Sequence, residues 1–325
     1  MPRIAMQTPL PPAADKITDE NKMNLAICMT CKNIEIYWKY VIRNIEKLSH
    51  YNLYLIFVYD NCNDSTGFIL KTYKRKTKHN VYVKRLKDNN SYLRTVRIAN
   101  ARNECLKILY SLKDIKYHIF LDPDDKNSVE WVNSHLIDYY INEDKTWDCM
   151  TFNRGFYYDT WALNIGDFKW HSWGWGEYST WVNRMLWGYL QETFKETQED
   201  LICHSAFCGL AIFRTDKFKD IEYRGRIKDI PKNFFKKEDL NKSISMVNKL
   251  AKVHVAPLMQ REIPYVTFDV KKLDSPKNYM EHPPVKLLPD EICEHIYYCI
   301  SATRLNNCVI KISRKSLSAE EEFRL

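Results

Sequence analysis

Asp122, Asp124 and Asp125 stand together in the segment Phe120-Leu121-Asp122-Pro123-Asp124-Asp125, directly after the apolar run 117–121. That run has the composition of a short buried strand, and Pro123 cannot continue it, so the three carboxylates fall on the loop at its C-terminal edge. Open α/β sheets bind ligands at that edge. Hard oxygen ligands at this spacing suit Mg²⁺ or Mn²⁺, which bind through one or two carboxylates together with substrate phosphates. The chemistry such a cluster offers is therefore to hold a diphosphate through a divalent ion. Asp and Pro are also ordinary turn residues, so the surrounding elements have to decide between the two readings.

Those elements alternate. Residues 24–30 (NLAICMT) form an apolar strand, and Ile34, Trp38, Val41, Ile42, Ile45 and Leu48 recur at helical intervals over 34–48. A second apolar strand at 53–59 (LYLIFVY) ends in the polar loop 60–66 (DNCNDST), whose Asp64, Ser65 or Thr66 can cap the next helix. A third strand at 81–86 precedes a helix over 96–112, whose apolar face is Ile98, Ala101, Cys105, Ile108, Leu109 and Leu112. The strand before the acidic loop follows at once. Such alternation predicts a mostly parallel sheet with right-handed crossovers. Further on, 149–152, 207–213, 252–258 and 308–313 are strand candidates. Trp161, Trp170, Trp173, Trp175, Trp181 and Trp187 are either core anchors or a sugar-stacking surface.

With 325 residues, 45% of them hydrophobic and 14% aromatic, the chain can build a sizeable core. We expect a tail over 1–22, a single domain over 23–315 with a nucleotide-binding half (23–127) and an acceptor-side half (128–315), and a second tail over 316–325. The formal net charge of +8 suits an anionic donor. The basic run 71–78 (KTYKRKTK) is expected to be a solvated helix face and end; no helix-turn-helix, zinc-finger or RRM pattern accompanies it, so no nucleic-acid partner is predicted. Many of the ten cysteines sit in apolar runs, where a free thiol behaves as a small hydrophobe, and a reducing, cytoplasmic setting is the simpler expectation. No stretch reaches the roughly 18 apolar residues of a membrane span; a fragment cut from an anchored Golgi-lumenal protein is the other expectation.

The ordered set of ICMTCKN, VYDNCNDST, RIANARN and FLDPDD over the first 125 residues resembles GT-A glycosyltransferases. Later, YYDTWAL (157–163), HSAFCGLAIFR (204–214) and CEHI (293–296) are similar to the fungal capsule-associated alpha-1,3-mannosyltransferase family and its relatives in large DNA viruses. The resemblance implies a Rossmann-like α/β fold, a nucleotide-sugar donor, Mn²⁺ or Mg²⁺, a glycan or glycoprotein acceptor and, for a viral chain, the host cytoplasm. It implies that Asp60, with Asn61, accepts hydrogen bonds from the base, since a carboxylate offers acceptors only. Thr30, Cys31 and Asn33 would line base and ribose, and Arg97 or Arg102 would face the base or diphosphate with a guanidinium fork. Asp122 would reach the ribose or a metal-bound water, Asp124 would coordinate the ion, Asp125 leaves that register open by one residue, and His295 would return from the C-terminal part as a metal or diphosphate contact.

If the reaction inverts the sugar's configuration, a carboxylate must take the acceptor proton, and Asp159, Glu199 and Asp200 are the candidates, Asp159 having the YYDTWAL motif behind it. The resemblance implies retention instead, in which Asp159 positions donor or acceptor. GDP-mannose comes first by resemblance, with UDP-sugars next. Two other classes compete. One is a catalytically silent carbohydrate-binding protein of the same fold; the other is a sugar nucleotidyltransferase, whose glycine-rich first loop is missing from residues 30–33.

Overall fold

The computed structural model describes residues 22–124, 132–153, 159–171, 179–250 and 290–317. Outside them lie residues 1–21 of the expected N-terminal tail, Asp125, Tyr157, Tyr158, Trp173, Trp175 and the strand expected at 252–258.

One sheet of eight strands organises the chain: β1 (Asn24–Cys31), β2 (Asn52–Tyr59), β3 (Asn80–Arg85), β4 (Tyr117–Leu121), β5 (Cys149–Asn153), β6 (Leu201–Cys203), β7 (Leu210–Arg214) and β8 (Ile310–Ser316). Their spatial order is β3-β2-β1-β4-β7-β5-β8-β6. β3-β2, β2-β1, β1-β4 and β5-β8 pair parallel, while β4-β7, β7-β5 and β8-β6 pair antiparallel. The α/β class expected from the alternation is the class observed.

Helices cover both faces, which is why β1, β2 and β4 are nearly continuous apolar runs rather than alternating ones. On one face Ala26, Cys28, Ile56 and Val58 meet Ala99, Cys105, Leu106 and Leu109 of α3 (Arg94–Ser111). On the other, Leu25, Ile27, Met29, Leu55 and Phe57 share a core with Val41 and Ile45 of α1 (Trp38–Glu46) and with Leu136, Ile137 and Tyr140 of α4 (Ser134–Asn142). α2 (Thr66–Lys76) runs between β2 and β3, α5 (Ser179–Thr197) and α6 (Lys237–Leu250) follow the middle of the chain, and α7 (Glu294–Asn306) returns to the α3 face. α7 stops where Asn307 turns left-handed at φ 51°, a conformation Asn adopts more readily than most residues.

Two boundaries differ from expectation. The helix expected over 34–48 opens with a single 3-10 turn, Glu35–Tyr37, before α1 begins at Trp38. At the other end, Ser316, expected to open the C-terminal tail, is still in β8, and buried Leu317 donates its N–H to the Asn153 carbonyl (2.7 Å) while accepting from the Asn133 N–H (2.8 Å); residues 318–325 of that expected tail lie outside the described residues.

The strand order positions the site. From β1 the chain steps outward to β2 and β3, then crosses back through α3 to lay β4 on the other side of β1. The C-terminal ends of β1 and β4 therefore flank the point where the winding reverses, and a crevice opens there.

Candidate donor site

A cavity of 620 Å³ occupies that crevice. β1 delivers Thr30 and Cys31 to it, the residue after β2 delivers Asp60, the loop after β4 delivers Asp122, Pro123 and Asp124, and α3 lines one wall with Arg94, Arg97 and Arg102. Asp159, Trp161, Cys293 and Glu294 close it from the second half of the chain. Three local details hold these positions. The Asp122 N–H donates to the Gly209 carbonyl (2.9 Å), so β7 sets where β4 ends, and Gly209 adopts φ 77°, which glycine takes without strain. The loops after β1 and β2 are laced together: Ile34 N–H donates to Thr66 Oγ1 (2.9 Å), Glu35 N–H to Asp64 (3.0 Å), Ser65 N–H to Glu35 (2.9 Å) and Asn63 N–H to Asn33 Oδ1 (2.8 Å). The first turn of α3 is capped from far away, Thr95 N–H donating to Glu291 (3.1 Å) and Thr95 Oγ1 to the Gly225 carbonyl (2.6 Å).

Arg102 is the hub of the site. It is 2% exposed; Nη2 donates to Asp122 Oδ1 (2.9 Å) and Nε to Glu294 Oε1 (3.1 Å). Its guanidinium also lies over the rings of Phe207 (4.9 Å), Phe120 (5.3 Å) and Tyr223 (5.6 Å). Burial alone would pull its pKa down, but Asp122 and then Glu294 outweigh that and hold it above the ordinary arginine value. The guanidinium ties the acidic loop after β4 to the start of α7, with Glu294 in α7's first turn, where the helix dipole favours a carboxylate.

Asp159 stands apart in its electrostatics. It is partly buried, and its side chain does not cap the 3-10 turn Thr160–Ala162 that follows. Burial, then the negative charges of Glu294 and Asp122, push its carboxyl up to about 7, against the smaller opposing effects of Arg94 and Arg102. A carboxyl poised there exchanges a proton near neutral pH.

Asp60 accepts from Lys32 Nζ (3.1 Å) and from Asn89 Nδ2 (3.0 Å), and Asn89 also donates to the Arg97 carbonyl (2.9 Å). Two oxygens with about four acceptor positions leave room for about two more donors. Arg97 donates to the Ser91 carbonyl (2.5 Å). Arg94, exposed at the first residue of α3, makes no ion pair among the described residues.

Of the residues singled out from sequence, Thr30, Cys31, Asp60, Arg97, Arg102, Asp122, Asp124 and Asp159 line this one cavity. Asn33 and Asn61 do not: Asn33 braces Asn63, and Asn61 pairs with Asn90 (2.9 Å) while its carbonyl accepts from Lys32. Asp200 lies beside the edge strand β6, where its carboxylate accepts from Tyr140 OH (2.7 Å) and the Arg314 N–H (3.0 Å). Glu199, exposed beside it, is equally outside the cavity. His295 is 1% exposed, stacked on Phe207 at 3.8 Å and edge-on to Tyr223. Burial, with Arg102's charge, lowers its pKa well below the ordinary value, so it is a neutral ring that does not line the cavity. The residues of the CEHI segment that line the cavity are its neighbours Cys293 and Glu294. Trp161, expected as a core anchor or a sugar-stacking residue, lines the cavity too, whereas sequence reasoning passed over Lys32 and Arg94. Arg94 carried a readable signal, since Arg94 and Arg97 are three apart and share a helix face.

Among the described residues no three His, Cys, Asp or Glu side chains converge closely enough to hold a metal by themselves. Ions that serve diphosphates take only one or two protein carboxylates, and Asp124 beside Asp122 meets that smaller requirement.

No protein-family model and no curated protein matches the chain. The solved structures to which it is similar, all at low identity, include the following. Residues 1–349 of S. aureus TarS in complex with UDP-GlcNAc are 16% identical over 69% of this chain and 53% of that one, TM-score 0.37. Glucosyl-3-phosphoglycerate synthase from Mycobacterium tuberculosis with Mn²⁺, uridine-diphosphate and phosphoglyceric acid is 12% identical over 62% of this chain and 58% of that one, TM-score 0.36. The mannosyltransferase PcManGT from Pyrobaculum calidifontis with GDP-Man and Mn²⁺ is 10% identical over 71% and 53%, TM-score 0.38. The chain spans little more than half the length of each.

Proposed function

We propose that this chain is a GT-A-type glycosyltransferase that moves a sugar from a nucleoside diphosphate-sugar, GDP-mannose or a UDP-sugar, to a hydroxyl of a glycan or glycoprotein. The observation that carries the reading is the single cavity at the winding reversal, where the Asp122–Asp124 loop faces Arg94, Arg97 and Arg102 across 620 Å³. Its dimensions and its mixed charge suit a nucleotide with two phosphates. Asp60, held by buried Asn89, sits at the β2 end to receive the base, and the α3 arginines flank the position of the phosphates. Arg102, spent on Asp122 and Glu294, keeps the acidic loop in place, while Arg94 is placed to meet a phosphate.

Asp124, with Asp122, would hold the divalent ion, which when bound supplies positive charge to the departing diphosphate. Asp159 stands on the acceptor side. In the retaining course we propose, its carboxyl group orients the sugar hydroxyls.

The test is a panel of nucleotide-sugars scored for release of nucleoside diphosphate, with and without chelator, beside Asp124→Ala. Turnover of one donor that disappears both on chelation and in Asp124→Ala is the expected result. Turnover that survives both sinks the metal-dependent mechanism, and a panel without turnover or thermal shift sinks the donor site itself. A proton spectrum of the product's anomeric signal then separates retention from inversion.

A further inference from the structure

Residues 65–87 contain eight of the chain's 49 Lys and Arg residues and none of its 41 Asp and Glu residues, which leaves 41 of each sign in the rest of the chain. The whole net charge of +8 therefore resides in this one segment, which forms α2, the following turn and β3. β3 is the edge strand on this side of the sheet. Lys71, Arg75, Lys76, Lys78, Arg85 and Lys87 are all exposed. Of the bordering acids, Glu46 accepts from His79 (3.0 Å), Glu104 pairs with Lys84 (3.7 Å) and Lys107 (3.3 Å), and Asp64 accepts from the Glu35 N–H (3.0 Å), while Asp88 is exposed at the segment's end.

Ordinary causes explain part of this. Cations in the last turn of α2 complement the helix dipole, and lysines on an edge strand discourage pairing with other chains. Neither cause accounts for Phe68, which is 71% exposed on the same helix. At spacings of three and seven residues, Phe68, Lys71 and Arg75 share one face of α2. Ile36, 69% exposed, sits in the 3-10 turn that Glu35 fastens to the start of α2 through the Ser65 N–H. A wholly cationic side of the molecule with large apolar groups at one end has the composition of a surface that lies on an anionic bilayer, cations at the headgroups and apolar groups in the interface.

We propose that the α2–β3 side is a docking surface for an anionic membrane. Phe68 and Ile36 flank the loops that line the donor cavity, so docking on this side sets the cavity close to the bilayer, where a lipid-borne or membrane-borne acceptor is presented.

The test uses the full chain and sedimentation with vesicles of phosphatidylcholine alone or mixed with phosphatidylserine. Binding is expected only to the mixed vesicles and to weaken as salt rises. Each surface cation contributes about fivefold to partitioning, so replacing Lys71, Arg75, Lys76 and Lys78 together by Ser should weaken it by a hundredfold or more. Phe68→Ser should weaken it by about tenfold while leaving the melting curve unchanged. Absence of binding to phosphatidylserine vesicles at low salt overturns the proposal. So does binding that Phe68→Ser leaves intact, most clearly if single-stranded RNA is bound equally well, because the surface then serves a polyanion rather than a bilayer.

Discussion

Replacing Asp159 by Asn should make the ligand-free protein more stable, by an amount that grows with pH. In the fold the carboxyl is raised from 3.8 to about 7 by burial and by the charges of Glu294 and Asp122. Between those two values the native state binds more protons than the unfolded chain, so stability is lost as pH rises through that window. A shift of about three units corresponds to about 4 kcal/mol at full ionisation; partial exposure of the side chain reduces this to about 2–4 kcal/mol. Asn keeps the shape and removes the charge, and the side chain has no capping bond to lose. Urea unfolding of wild type and Asp159→Asn from about pH 5 to about pH 8 isolates the effect of Asp159 and its charge coupling to Glu294 and Asp122, because titrating groups remote from it cancel in the difference. The variant's advantage should widen by about 2–3 kcal/mol across that range. Parallel curves would refute the placement of three carboxylates around one pocket.

Four further outcomes follow from the packing. A Cβ on Gly225 would overlap the Thr95 carbonyl and the Val96 nitrogen, so Gly225→Ala should cost about 1–3 kcal/mol in urea unfolding. Arg102→Met should cost about 3–5 kcal/mol by leaving Asp122 and Glu294 without their buried cation; Arg102→Lys, which keeps the charge without the fork, should fall between. Asp200→Asn should lose about 1–2 kcal/mol of stability through its bonds to Tyr140 and Arg314, with turnover of the donor unchanged. Of ten free cysteines only Cys62 is not buried, so a thiol reagent should modify one site quickly in the native protein and the others only on unfolding.

Residues that end apolar strands were the readable part of the site. Asp60 and Asp122 each follow a run that only a buried strand explains, and a parallel sheet brings all such ends to one edge, so the sequence order of the strands carried the geometry with it. The partnership of Arg102 with Glu294 was not readable, because the two residues are 192 apart and nothing local in either segment requires the other. Distance along the chain also hid the meaning of Asp200: an acid after a helix looks alike whether it faces a substrate or, as here, Tyr140 and a backbone N–H of β8. The CEHI segment shows the same limit at one-residue resolution. In the first turn of α7, consecutive residues point about 100° apart, so His295 turns into the aromatic core against Phe207 while Glu294 turns toward Arg102 and the cavity. The motif fell on the turn of α7 that borders the cavity, and only the packing of α7 against α3 decided which of its side chains line it.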